Sequence, residues 1–168
     1  MYFLPSRAAV TESEEETERL GALLAGYFSG GVTILLSGDL GAGKTTLVRG
    51  FCEALGYRKV RSPSFTLVNH YIAGKRKIVH SDLYRLDSGD VSDLDLQEYD
   101  SGDTVLFVEW AEKAPFFSER PLWKMHISSP DVLSFPERRH FDFFALNPEG
   151  EELLSRFWQT IGEEVIPE

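Results

Sequence analysis

The stretch Gly38-Asp39-Leu40-Gly41-Ala42-Gly43-Lys44-Thr45-Thr46 holds a glycine, four intervening residues and then Gly-Lys-Thr. That is the spacing of a phosphate-binding loop, where a glycine-rich turn lets successive backbone N–H groups point inward at an anion. On this reading Gly41, Ala42, Gly43, Lys44, Thr45 and Thr46 form a nucleotide-binding cradle. Lys44 lies along the β- and γ-phosphates as a point charge, and Thr45 offers its hydroxyl to Mg²⁺. The helix that follows adds its positive N-terminal end. A random chain of this composition matches the pattern roughly half of one per cent of the time, so chance is a poor explanation.

The flanks supply the context the loop needs. Before it, Val32-Thr33-Ile34-Leu35-Leu36 is a short apolar run that reads as a buried strand. After it, Leu47, Val48, Phe51 and Leu55 fall on one helical face before Gly56 ends the helix.

At 168 residues, with 42% hydrophobic side chains and 12% aromatics, the chain has the length and apolar content of one compact domain spanning residues 1–168. A single cysteine, Cys52, excludes an internal disulfide and fits a reducing cytoplasm. Placed mid-helix beside Phe51, it reads as a small buried hydrophobe. The Met1–Arg7 start lacks the order of a signal peptide, and no apolar run approaches bilayer length, so a soluble cytoplasmic protein without membrane contact is expected. The net charge of −10 opposes an independent grip on a polyanion, so no direct, stable nucleic-acid binding is expected. Two local basic groups, Arg58, Lys59, Arg61 and Lys75, Arg76, Lys77, read as solvated loop charges, with a docking face for an acidic partner as the sharper alternative.

Along the rest of the chain, Leu20, Leu23, Leu24, Tyr27 and Phe28 recur at helical spacing, and Ser13 with Glu16 has the spacing of a capping box. The Thr11–Thr17 start reads as a helix entry, with an adenine-side wall as the sharper alternative. Arg61-Ser62-Pro63-Ser64-Phe65-Thr66 carries hydroxyls that could reach a phosphate or its metal. Residues 66–72 and 77–80 flank Ala73-Gly74-Lys75-Arg76 and predict a β-hairpin. Asp87 to Asp103 is acid-rich with little apolar period, which predicts an exposed, partly helical connection. Trp123–Ile127 and Arg139–Ala145 read as strands, and Leu153, Leu154, Phe157, Trp158 and Ile161 mark a terminal amphipathic helix. His126 and His140 have no partnered ligand spacing and read as structural.

Two carboxylates follow apolar strands: Asp82 within His80-Ser81-Asp82-Leu83-Tyr84-Arg85, and Glu109 after Thr104-Val105-Leu106-Phe107-Val108. An Asp just past an apolar strand is where a P-loop enzyme would hold Mg²⁺ or its waters; in open parallel sheets ligands bind beyond the carboxyl ends of strands, so Glu109 should emerge near the same crevice as the loop. Spacing leaves the metal role open between them. The shorter Asp suits a compact metal or metal-water contact; Glu, one methylene longer, reaches past the metal to orient or deprotonate a nucleophile.

The P-loop, Ser62-Pro63-Ser64-Phe65-Thr66, the His80–Arg85 segment and Val108-Glu109-Trp110, in this order and spacing, resemble the TsaE family, formerly YjeE. Members are small bacterial P-loop ATPases needed for making threonylcarbamoyladenosine in tRNAs that read codons beginning with A, and they act with the TsaB and TsaD proteins. The resemblance covers roughly residues 11–127. It implies ATP/ADP and Mg²⁺ as ligands, Lys44 and Thr45 at the phosphates and metal, Asp82 at the metal, and Glu109 with Lys44 as the residues of hydrolysis. Ser64, Arg85 and Trp110 are implied as accessory residues, Arg85 bracing Asp82 or Glu109, Trp110 either packing or touching nucleotide or partner. The chain departs from the family pattern at Ser64, where Thr is usual, at His70, where Glu is common, and at Ala111, where Pro is common.

The expected architecture is a single α/β P-loop NTPase-like domain with a largely parallel central sheet flanked by helices and an antiparallel hairpin. The expected function is slow Mg²⁺-dependent ATP hydrolysis completed by a TsaB–TsaD partner complex. The rivals are a nucleotide-dependent binding module without turnover and a small-molecule kinase of the same fold. A GTPase is disfavoured by the lack of an Asn-Lys-x-Asp motif.

Overall fold

The computed structural model describes residues 1–87, 90, 94–113 and 116–161. Among these, the elements are β1 (Tyr2–Leu4), β2 (Ala8–Thr11), α1 (Glu14–Tyr27), β3 (Val32–Ser37), α2 (Lys44–Ala54), β4 (Val68–Ala73) and β5 (Arg76–Asp82). They continue with β6 (Val105–Glu109), β7 (Leu122–Ser128), β8 (Arg139–Ala145) and α3 (Pro148–Thr160). The strands form one sheet in the order β1-β2-β8-β7-β3-β6-β5-β4.

Its centre is parallel: β7, β3, β6 and β5 run the same way. Every residue of β3 and β6 is buried, which is why both read as unbroken apolar runs in the sequence. Successive side chains point to opposite faces. Ile34, Leu36 and Phe107 meet Leu20, Leu24, Leu47, Phe51 and Phe157 of the three helices. Leu35, Leu106 and Val108 meet Val79, Leu83 and Leu96 on the other side.

The β4–β5 hairpin turns at Gly74, whose φ of +61° suits a glycine. It is tighter than the sequence predicted, and β5 runs on to Asp82. Antiparallel pairing also extends beyond the hairpin to the opposite flank, where β7 pairs β8, β8 pairs β2 and β2 pairs β1. The β1–β2 hairpin has no counterpart in the sequence reading. Its strands of 3 and 4 residues are too short to show alternation, and Ala8 and Ala9 carry little strand preference; long-range pairing with β8 holds them. The connection from Asp87 to Asp103 contains the short turn Leu96–Tyr99, with Leu96 buried on the second sheet face rather than exposed. A sheet apolar on both faces needs that cover. Residues 88, 89 and 91–93 of that connection lie outside the described residues.

Helix α1 starts where the sequence places it: the Ser13 hydroxyl accepts from Glu16 N at 3.3 Å, while the Glu16 carboxylate reaches back to Glu12 N at 2.8 Å. Two glycines let α1 and α2 touch backbone to backbone. A Cβ on Gly21 would stand 2.2 Å from Leu47 O, and one on Gly50 would stand 2.1 Å from Glu18 O. This close crossing brings the loop at the head of α2 against the start of α1. Among the described residues no helix is long and apolar enough to cross a membrane.

Candidate functional site

The loop between β3 and α2 turns on Gly38, Gly41 and Gly43, with φ of 139°, 78° and 104°. At Gly38 a side chain would also collide with the backbone, because a Cβ there would lie 2.3 Å from Ile127 O. Gly43 caps α2 without any side-chain hydrogen bond. Among the described residues the first-turn N–H groups of α2 therefore have no side-chain acceptor at the cap, an arrangement suited to an anion.

Lys44 opens α2 and is only 4% exposed. Its Nζ donates to Gly38 O at 2.7 Å and to Asp39 O at 2.8 Å, and it lies 4.6 Å from the centre of the Trp110 ring. Burial pushes its pKa below the ordinary lysine value, and the negative charges of Glu109, Asp82, Glu112 and Asp39 oppose that shift. The ammonium is thus held by neutral carbonyls and an aromatic face, with carboxylates acting at a distance.

Asp82 and Glu109, the last residues of β5 and β6, are register partners on adjacent parallel strands. Each accepts a hydroxyl. Thr45 Oγ1 donates to Glu109 Oε1 at 2.9 Å, and Ser64 Oγ donates to Asp82 Oδ2 at 2.7 Å. Asp82 Oδ1 accepts from Tyr84 N at 2.8 Å. Ser64 is set by a turn in which Leu67 N donates to Pro63 O and Leu67 O accepts from Asp82 N. Leu67 holds a φ of +66°, unusual for a side chain with a Cβ.

Trp110 follows Glu109 at φ +58°, also in the left-handed region, with its N–H donating to Leu36 O at 3.0 Å. Such strain in a bulky residue clusters at functional sites. The turn sends the indole back over Lys44 and against Tyr84, at 5.0 Å between centroids. Lys44, Thr45, Ser64, Asp82, Glu109 and Trp110 line one open cavity of about 210 Å³. The oxygen donors of Thr45, Ser64, Asp82 and Glu109 are hard ligands suited to Mg²⁺, which keeps several waters and needs few protein groups.

Arg85 is elsewhere. Its guanidinium stacks 4.4 Å from the centre of the Phe65 ring, so the expected brace on Asp82 or Glu109 is not present; Phe65, itself 82% exposed, offers a flat face on the turn beside it. Two residues escaped the sequence reading. His80 was visible only as part of a motif, yet its Nε2 lies 2.7 Å from Glu109 Oε1. Arg139, at the start of β8, donates to Ala42 O at 3.1 Å and backs the loop from behind. No local pattern could announce a contact across 97 residues of chain. Arg139 also lines a second cleft of about 170 Å³ with Glu14, Thr17, Gly43, Thr46 and Glu137, on the α1 side of the loop. Cys52 faces the core, where burial pushes its thiol up to about 12 and leaves it inert.

A family model described as threonylcarbamoyl adenosine biosynthesis protein TsaE matches residues 11–139. Among curated proteins, tRNA threonylcarbamoyladenosine biosynthesis protein TsaE of Aquifex aeolicus is 44% identical over 110 residues, covering 64% of this chain and 78% of its own. The TsaE of Haemophilus influenzae is 40% identical over 132 residues, covering 75% of this chain and 78% of its own. The crystal structure of Bacillus subtilis YdiB superposes with a TM-score of 0.69 at 32% identity, covering 91% of this chain and 94% of that one. The match runs from the strand before α1 to the arginine that backs the P-loop, the whole span that builds the cavity, and the chain belongs to the TsaE family.

Proposed function

We propose that this protein is a Mg²⁺-dependent P-loop ATPase that serves threonylcarbamoyladenosine modification of tRNA in the cytoplasm, together with a TsaB–TsaD partner complex. The observation that carries the reading is the convergence of Lys44, Thr45, Asp82 and Glu109 on one cavity at the head of α2. Phosphoryl transfer needs little covalent help from a protein; it needs positioning and charge stabilisation.

Lys44 exchanges its two carbonyl acceptors for phosphate oxygens when ATP enters. The backbone N–H groups of the loop and of the first turn of α2 hold the β-phosphate. Mg²⁺, when bound with the nucleotide, neutralises developing phosphate charge; Thr45 and Asp82 would hold it. Glu109 orients the attacking water through the oxygen that Thr45 and His80 leave free, and accepts its proton as the water's bond to the γ-phosphorus forms and the bond to the β,γ-bridging oxygen breaks, releasing ADP. The cleft beside Glu14, Thr17 and Arg139 suits the nucleoside end of ATP.

One observation favours a second assignment. The Thr45 hydroxyl donates to Glu109 and not to Asp82, which brings Glu109 within reach of the metal's shell. In that reading Glu109 shares the metal with Thr45, and Asp82 acts through Ser64.

The partner requirement follows from where Arg85 stands. Arg85 stands against Phe65, so no guanidinium from it reaches the phosphate site, and a partner group completes the charge stabilisation. The net charge of −10 leaves tRNA to the partner. Phosphate release from ATP, measured with and without TsaB–TsaD, tests the proposal: slow release alone and faster release with the complex is expected. Binding without release under both conditions would point to the binding-module reading, and phosphate appearing on a small-molecule acceptor to a kinase.

A further inference from the structure

We propose that His80 is a positioning residue for Glu109: its buried imidazole holds the carboxylate in the one orientation that presents a free oxygen to the attacking water. This rests on the reading of Glu109 as the water-orienting group.

The placement comes from the sheet. His80 lies on β5 directly beside Phe107 of β6, and Asp82 lies beside Glu109, so the parity of the strands puts His80, Asp82, Phe107 and Glu109 on one face. This is the face covered by the helices, since Phe107 packs against Phe51 of α2. His80 is 0% exposed there, sealed from solvent by its neighbours.

A buried imidazole is costly, and here the cost is visible. Among the described residues Nδ1 is a buried side-chain atom without a hydrogen-bond partner, so the ring satisfies one nitrogen only. An apolar side chain of the same size would fill the space without that penalty. The single bond His80 makes is therefore the physical reason for a histidine at this position. With Glu109 as a carboxylate, Nε2 is the donor, and in the neutral ring Nδ1 is the bare nitrogen.

The geometry at the carboxylate gives the bond its consequence. Glu109 Oε1 receives both the His80 Nε2 donor at 2.7 Å and the Thr45 Oγ1 donor at 2.9 Å. Two donors on one oxygen fix the plane of the group and leave Oε2 for a water. Thr45 lines the cavity where phosphate and metal would bind, and its hydroxyl would have other claims on it there. His80 comes from the centre of a strand, so it supplies the constant part of the restraint. Preorientation of this kind acts on the transition state, where a misplaced group is most damaging.

The test compares full-length His80→Phe and His80→Gln with wild type, under saturating Mg²⁺-ATP and with the partner complex present. Phe fills the site without a donor; Gln restores an N–H near the position of Nε2. His80→Phe is expected to lose about 10-fold or more in kcat while its nucleotide Kd stays within about twofold. His80→Gln is expected to recover most of the rate. In a Glu109→Gln background, His80→Phe is expected to cost nothing further, because it acts through the carboxylate.

Wild-type turnover in His80→Phe overturns the proposal. So does a parallel loss of affinity, melting temperature and rate in both variants, which is how a merely structural residue behaves. Glu109→Gln with wild-type turnover would instead overturn the reading of Glu109 itself, so the two failures are told apart.

Discussion

Asp82 and Glu109 stand directly opposite one another at the ends of adjacent parallel strands, and each is held by a hydroxyl from a different segment, Ser64 for one and Thr45 for the other. Two carboxylates at neighbouring register positions repel unless charge is brought between them. Lys44 is close enough to feel both, and Mg²⁺ is the natural further occupant. This pairing supports the proposal of a Mg²⁺-nucleotide site here.

Removal of Lys44 follows most directly. Lys44→Ala deletes the cation that would lie along the transferring phosphate, so ATP turnover should fall by ~10²-fold or more. Phosphate release by the purified variant with its partner measures this, and normal hydrolysis would refute the loop assignment. The core of α2 should survive the change, since the Lys44 ammonium bonds to loop carbonyls and not to core groups.

The two carboxylates should separate under a Mg²⁺ titration. Asp82→Ala is expected to raise the Mg²⁺ midpoint for activity. Glu109→Gln is expected to keep that midpoint and ATP affinity while losing ~10²-fold in turnover, the usual size of a general-base contribution. The reverse pattern, a raised midpoint in Glu109→Gln alone, would establish the second assignment, in which Glu109 shares the metal.

Helix contact gives a stability prediction. At Gly50 an added Cβ meets Glu18 backbone at 2.1 Å, so Gly50→Ala should force α1 and α2 apart and cost about 1–3 kcal/mol. At Gly26, inside α1, a Cβ meets nothing within 4 Å, and Gly26→Ala should stabilise by about 0.5–1 kcal/mol. Denaturant unfolding of both variants measures the contrast, and equal midpoints would contradict the backbone contact.

A pH effect is expected at the N-terminal hairpin. Arg7, in the turn between β1 and β2, forms two hydrogen bonds to Glu151 of α3, at 2.9 and 2.7 Å. That bonding, with help from Ser155, lowers the Glu151 carboxyl from 4.5 to about 2. A depressed carboxyl contributes stability that is full above its unfolded value and is lost as pH falls from about 4.5 through about 2. Following the Glu151 side chain by NMR should show a midpoint near 2, and Arg7→Ala should return it toward 4.5. The pair is solvent-exposed, so the effect on melting near neutral pH should be small.

The nucleotide cradle was legible from the sequence because its causes are local. Three glycines at positive φ, a lysine at the first helical position and an apolar strand before them are neighbours in the chain. Helix α1, the hairpin β4–β5 and the strands β6, β7 and β8 were legible for a similar reason, since their periods and turn residues fall within a few positions of each other. Strand ends named Asp82 and Glu109 as candidates.

Partnership across the chain was decided only by tertiary structure. Which hydroxyl serves which carboxylate depends on β5 and β6 aligning Asp82 with Glu109 and on α2 starting beside them. Arg85, in a motif beside the site, turns away to an aromatic ring, while Arg139, far along the chain, arrives behind the loop. The N-terminal hairpin exists because β8 offers it an edge, and its own seven strand residues carry too little pattern to declare it. His80 makes the same point inside the site: the sequence holds the histidine in view, but only sheet register brings it to within 2.7 Å of the carboxylate. Local propensity and spacing act over a turn or a strand; register between strands is set by the packing of the whole sheet, and that packing is not written in any one segment.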